Sequence, residues 1–175
     1  MVTQAGFTAA EPSDSVSDPA ELLVGYLDYY RSVVLRKVDG LSEQELRASR
    51  VPSGWTPLEL LKHLAYVELR WLRWGFAAQD VDEPWGDQGP DDRWQVRDDE
   101  SAGDVREFFL AQCESSRRIV AAAQLSDVAA GGGRFDSQDP PPTLSWILFH
   151  VLQEYARHAG QLDVVRELAD GSVGE

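Results

Sequence analysis

Trp146-Ile147-Leu148-Phe149-His150-Val151-Leu152-Gln153-Glu154-Tyr155-Ala156-Arg157-His158-Ala159-Gly160-Gln161-Leu162 follows a proline run and continues as helix-forming sequence to Gly171. Taken at helical period, one stripe reads Ile147, His150 with Val151, Glu154, His158, Gln161 with Leu162, and Val165. Most of these positions are apolar, as a core-facing stripe must be. Glu154 and His158 break it. An unpaired carboxylate on a dry face costs several kcal/mol or takes up a proton. A divalent metal removes that cost, because it accepts a carboxylate oxygen and an imidazole nitrogen from adjacent turns.

His150 is a third candidate on the same stripe. Eight residues of helix span about 12 Å, too far for His150 and His158 to reach one ion through bonds of about 2 Å. Glu154 can pair with either neighbour. On this helix alone, a buried acid–imidazole hydrogen bond or a half-exposed stripe would satisfy the pair equally well.

A chain of 175 residues forms one domain with a substantial core. Its formal net charge of −14 argues against nucleic-acid binding and against attraction to anionic membranes. The one cysteine, Cys113, leaves no internal disulfide and fits a reducing compartment. The first residues lack a basic and apolar leader, and no apolar run reaches the length of a membrane span. The expectation is a soluble, cytoplasmic protein.

Residues 1–17 are small and polar and read as a flexible N-terminal tail; residues 18–171 read as a single domain. Asp18-Pro19-Ala20-Glu21 starts a helix that Gly40 ends, and Ser42-Glu43-Gln44-Glu45 starts a short one. Thr56-Pro57-Leu58-Glu59 combines a cap, a first-turn proline and a box acid, and predicts a helix to about Gln79. His63 falls on its inward stripe. Asp80 to Glu100 is a long connection holding Trp85 and Trp94, which read first as plugs for one end of the core and second as a substrate lid. Ser101 with Asp104 caps a helix through Val120, on which Cys113 reads as a buried small hydrophobe. Gly131-Gly132-Gly133 and Pro140-Pro141-Pro142 punctuate the next connection, and Thr143 caps the last helix. Four long amphipathic helices without strand alternation predict an all-α bundle.

Bundles place metals between facing helices. All three histidines fall on apolar stripes, one before and two after the long loops. His63 meeting Glu154 and His158 makes a two-histidine, one-carboxylate set, which leaves a coordination position for water or substrate.

Gly54-Trp55-Thr56-Pro57-Leu58-Glu59-Leu60-Leu61-Lys62-His63-Leu64 and Glu154-Tyr155-Ala156-Arg157-His158-Ala159-Gly160-Gln161 resemble the two signature segments of the DinB-like metal-binding four-helix bundles. Arg70-Trp71-Leu72-Arg73-Trp74-Gly75-Phe76 and Pro84-Trp85-Gly86 are similar to the mini-circle protein branch of that superfamily. The resemblance covers roughly residues 20–171 and is weak in the first and third helices. It implies an up-down-down-up bundle, often a homodimer, with one divalent metal held at the positions of His63, Glu154 and His158. Glu154 departs from the three-histidine pattern of many relatives and is similar to the mycothiol-dependent maleylpyruvate isomerases. The resemblance also assigns Glu154 to His158, which leaves His150 as a packing residue or a support behind the ligands. Zinc is the first expectation, with nickel or iron next.

In bacillithiol and mycothiol transferases, which the chain resembles, the metal activates a low-molecular-weight thiol. The implied function is a thiol-dependent S-transferase or isomerase acting on an electrophile. Arg73, Arg157 and Arg166 are candidate carboxylate clamps, with surface ion pairs as the competing reading; no general base stands out. The alternatives are a non-catalytic metal-binding or structural module, and a metal-dependent hydrolase using the same ligands.

Overall fold

The computed structural model describes residues 8–174. Its helices are α1 (Pro19–Val38), the short α2 (Glu43–Leu46), α3 (Pro57–Glu68) with a π-helical continuation (Leu69–Phe76), α4 (Ala102–Ala121) and α5 (Leu144–Asp170). The starts follow the sequence chemistry. Asp18 Oδ1 accepts from the Ala20 backbone N–H at 2.7 Å. Thr56 with Glu59, and Ser101 with Asp104, close complete capping boxes. Gly171 ends α5 with φ 76°, a left-handed conformation that glycine adopts without a Cβ clash.

Side-chain contacts fix the directions. Down α3, His63, Glu68 and Trp71 meet His158, Tyr155 and His150 of α5, so these two helices are antiparallel. Tyr66 packs on Phe108, and Arg73 donates to Gln112, so α3 and α4 run together. Arg106 pairs with Asp39 and Arg117 with Asp28, which sets α4 against α1. The order is therefore up, down, down, up, as the resemblance implies. Leu27, Leu60, Leu64, Phe109, Leu148 and Val151 fill the shared core.

A polar knot ties all four long helices inside that core. Arg31 of α1 donates through Nε and Nη2 to the two Glu68 oxygens of α3 at 2.8 and 2.9 Å. Tyr155 of α5 donates to Glu68 Oε1 at 2.8 Å, and Cys113 Sγ of α4 lies 3.9 Å from that oxygen. Burial and then the negative field of Glu68 push the Cys113 thiol up to about 12. Cys113 is buried, as the apolar periodicity predicts.

The helix expected to run from Thr56 to Gln79 changes pitch at Leu69. Ala77 N–H reaches back five residues to the Leu72 carbonyl at 2.9 Å, the bonding of a π turn. Carbonyls near the end of this segment accept from the connection before α5: Trp74 from Arg134 N–H at 3.2 Å and Phe76 from Ala130 N–H at 2.9 Å. Gly133 permits the approach, since a Cβ there would collide with the Trp74 carbonyl oxygen.

Of the segment expected to be a tail, residues 1–7 lie outside the described residues. Beyond them, Ala9 N–H donates to Ser32 Oγ at 2.6 Å, and Tyr26 OH donates to Glu11 at 3.2 Å, so residues 9–11 lie along α1.

Candidate metal centre

α3 presents His63 and α5 presents Glu154 and His158 to one point. One ligand atom from each lies within 4.8 Å of the other two. His158 Nε2 is 3.1 Å and His63 Nε2 4.0 Å from the same oxygen, Glu154 Oε2. The imidazole planes stand at 80°, edge to face, with centroids 5.1 Å apart.

The far side of each ring is already committed. His63 Nδ1 is 3.0 Å from Asp87 Oδ2, and His158 Nδ1 is 2.7 Å from Gln161 Oε1. Asp87 is fully buried and can only accept while ionised, so His63 carries its proton on Nδ1. Its Nε2 lone pair then faces Glu154 at 4.0 Å, beyond hydrogen-bond distance. Two imidazole nitrogens and a carboxylate pointing at one space repel unless a cation or protons lie between them. This N, N, O donor set suits a divalent ion with an open coordination position. Hydrogen bonding from His158, 3.1 Å away, is the largest effect on Glu154 and holds it far below the usual carboxylate range, against the opposing effect of burial. An ionised acid is the form a metal takes.

Asp87 is in turn held by Arg70, whose Nη1 and Nη2 donate to its two oxygens at 2.6 and 3.0 Å. Burial alone would raise the Asp87 carboxyl, but the hydrogen bonds from His63 and Arg70 bring it below its ordinary value. Trp94 stacks on His63 with centroids 4.3 Å apart and meets His158 edge-on at 5.2 Å, covering one side of the cluster. Trp85 differs from the expected core plug. It is 45% exposed, and Arg70 lies over its ring at 4.6 Å.

His150 lies on the other side of Glu154, its Nε2 3.4 Å from Oε1. Its ring packs on Trp71 at 4.0 Å and stacks with Trp146 at 5.7 Å. Burial pushes its pKa down, with Glu154 opposing and Arg134 assisting. The arginines named as clamps are placed elsewhere. Arg73 donates to Gln79 and Gln112, Arg166 to the Lys37 and Asp39 carbonyls and to Asp170, and Arg157 is exposed. Sequence reasoning missed Arg70 and Asp87. Asp87 sits among other acids in an irregular loop, where no periodicity separates it from its neighbours.

Among the described residues no helix is long and apolar enough to cross a membrane. A crystal structure of a conserved protein from Enterococcus faecalis is 15% identical, with a TM-score of 0.58 over 90% of this chain and 100% of that one, and it shares the fold. No curated protein matches the chain. The family model described as mycothiol-S-transferase matches residues 22–171, the span of the whole bundle and its loops. With the DinB-like arrangement of its helices and that match, the chain belongs to the mycothiol-S-transferase family.

Proposed function

We propose that the protein is a metal-dependent thiol S-transferase, with His63, Glu154 and His158 holding one divalent cation, zinc by first preference and nickel or iron next. The cosubstrates are a mycothiol-type thiol and an electrophile, and the setting is a reducing cytoplasm. The observation that carries the reading is the convergence of both Nε2 atoms on Glu154 while both Nδ1 atoms are engaged behind them. A bound divalent ion makes a coordinated thiol far more acidic, which supplies a thiolate nucleophile at neutral pH.

The chain's own residues prepare for this. Asp87 and Gln161 fix the tautomers and ring orientations of the two histidines. Hydrogen bonding from His158 keeps Glu154 ionised. Trp94 shields the face of His63 from water. Cys113 is not a competing nucleophile, because it is buried and stays protonated at neutral pH.

The test is to load purified protein with zinc, nickel or iron and follow conjugation of mycothiol to a generic electrophile, alongside His158→Ala. Turnover that needs a metal and His158 is the expected result. If both proteins are inert with every metal, the transferase reading falls; a stoichiometric bound ion without turnover would then favour a metal-binding module. A homodimer is expected from the resemblance, and sedimentation equilibrium reads it directly.

A further inference from the structure

The chain carries 30 acidic residues against 16 basic ones, and the walls of its cavities reflect that balance. Glu59 and Asp91 line the cleft beside Trp94, Glu100 the hollow over Lys62, and Glu83 and Asp163 two others. An open cavity of about 640 Å³ between the π-helical segment and α4 differs, since no carboxylate lines it. Its polar groups are Arg73, Gln79, Gln112, Ser115 and Arg118. Ala111, Ser115, Arg118 and Ala122 recur at helical spacing, so one face of α4 forms the floor. The two alanines leave that floor unfilled.

Donors around this cavity are uncommitted. Arg73 gives Nε to Gln79 Oε1 at 3.2 Å and Nη1 to Gln112 Oε1 at 3.1 Å, both neutral acceptors, so its charge meets no carboxylate. Its Nη2 has no acceptor among the described residues and is not sealed from solvent. Gln112 is 4% exposed and lines the cavity. Its oxygen receives Arg73, so its amide N–H groups are left without an acceptor, and they too are not sealed. Arg118 makes no ion pair among the described residues; Glu114, one turn back, is taken by Arg117 at 3.5 Å. The Ser115 hydroxyl is likewise unpaired there. Two guanidiniums with no acid between them make a positive spot on an otherwise acidic protein.

We propose that this cavity binds a small doubly charged oxyanion, a phosphate monoester or a dicarboxylate. Arg73 and Arg118 balance its two charges, and the Gln112 amide and the Ser115 hydroxyl add neutral donors. Arg73 is oriented in advance, because Gln79 and Gln112 already hold two of its N–H groups, so little side-chain freedom is lost on binding. Arg73 and Gln112 meet between α3 and α4, whereas the candidate metal ligands meet between α3 and α5. The site shares no residue with that centre and does not depend on the transferase reading.

Inorganic phosphate at pH 8 and succinate are the probes, each titrated into the purified full-length chain with ionic strength held constant by sodium chloride. Backbone amide signals of nitrogen-15-labelled protein report both affinity and place. Saturable shifts at residues 73–79 and 111–122 are expected with at least one dianion, and the tighter of the two names the source. Acetate, with a single charge, should bind about tenfold more weakly or worse. Arg118→Gln alters an exposed side chain and should weaken the dianion by about tenfold. Arg73→Gln should do the same, with far-UV circular dichroism confirming that both variants are folded. Arg157→Gln removes an equal charge from the exposed face of α5 and should leave the affinity unchanged. The proposal is overturned if neither dianion saturates, if the shifts centre on His63, Glu154 and His158 instead, or if Arg157→Gln weakens binding as much as Arg118→Gln.

Discussion

Replacing Arg31 with methionine removes the cation from the centre of the bundle while leaving most of its volume. Glu68, with 0% exposure, then loses two hydrogen bonds of 2.8 and 2.9 Å and keeps only Tyr155 OH and the weak thiol contact. Asp28 is not stranded, since Arg117 Nε still donates to it at 2.9 Å. The loss is therefore that of one partner of a buried ion pair, about 3–5 kcal/mol. That is a large share of the roughly 5–15 kcal/mol that holds a domain folded. For a chain of this size it lowers Tm by about 6–20 °C. Urea unfolding followed by far-UV circular dichroism measures it. Removing the whole knot with Arg31→Met, Glu68→Leu and Tyr155→Phe together leaves no buried charge or orphaned hydroxyl, and should recover most of the loss. If the single variant costs under about 1 kcal/mol, water reaches Glu68 and the knot does not tie the helices as described. Strict additivity of the single changes would equally refute a coupled cluster.

Two further outcomes follow from the site and from the core. Gln161→Leu takes the acceptor from His158 Nδ1; zinc affinity, read by competition with a chromophoric chelator, should fall by about 10–100-fold, and an unchanged affinity would mean that Gln161 does not orient a ligand. Because the Cys113 thiol is raised to about 12, it is protonated at pH 8 and buried as well; a disulfide reagent at that pH should label native protein negligibly and label it fully in urea, and rapid native labelling would show that the core opens around α4.

The bundle was legible because its signals are local. Asp18, Thr56, Ser101 and Thr143 each announce a helix with a side chain that caps it, and the apolar stripes locate the core. His63, Glu154 and His158 were legible as polar residues on apolar stripes, but so is His150, and it was the resemblance to the DinB-like bundles that set His150 aside. What supports them was not. Asp87 is one acid among several in an irregular loop, and only the folded chain brings it beneath His63. Arg134 likewise follows three glycines in a connection with no periodicity, and lies over Trp71 because Gly133 lets the backbone lie against the π turn. The pitch change at Leu69 escaped notice because a few residues cannot distinguish a period of 3.6 from a slightly wider one. Trp85 and Trp94 are both bulky aromatics of one loop, yet one covers His63 and the other lies half outside, a division set by the partners they meet.

The wide turn between Leu69 and Phe76 is, in effect, an α-helix carrying a surplus residue. Deleting one position there removes the surplus and returns the helix to ordinary pitch, while the residues on either side keep nearly their bearing. His63 lies upstream and would keep its place. What would be lost is the offset of the Trp74 and Phe76 carbonyls from the helix's own bonding, from which the connection before α5 is hung through the Arg134 and Ala130 N–H groups.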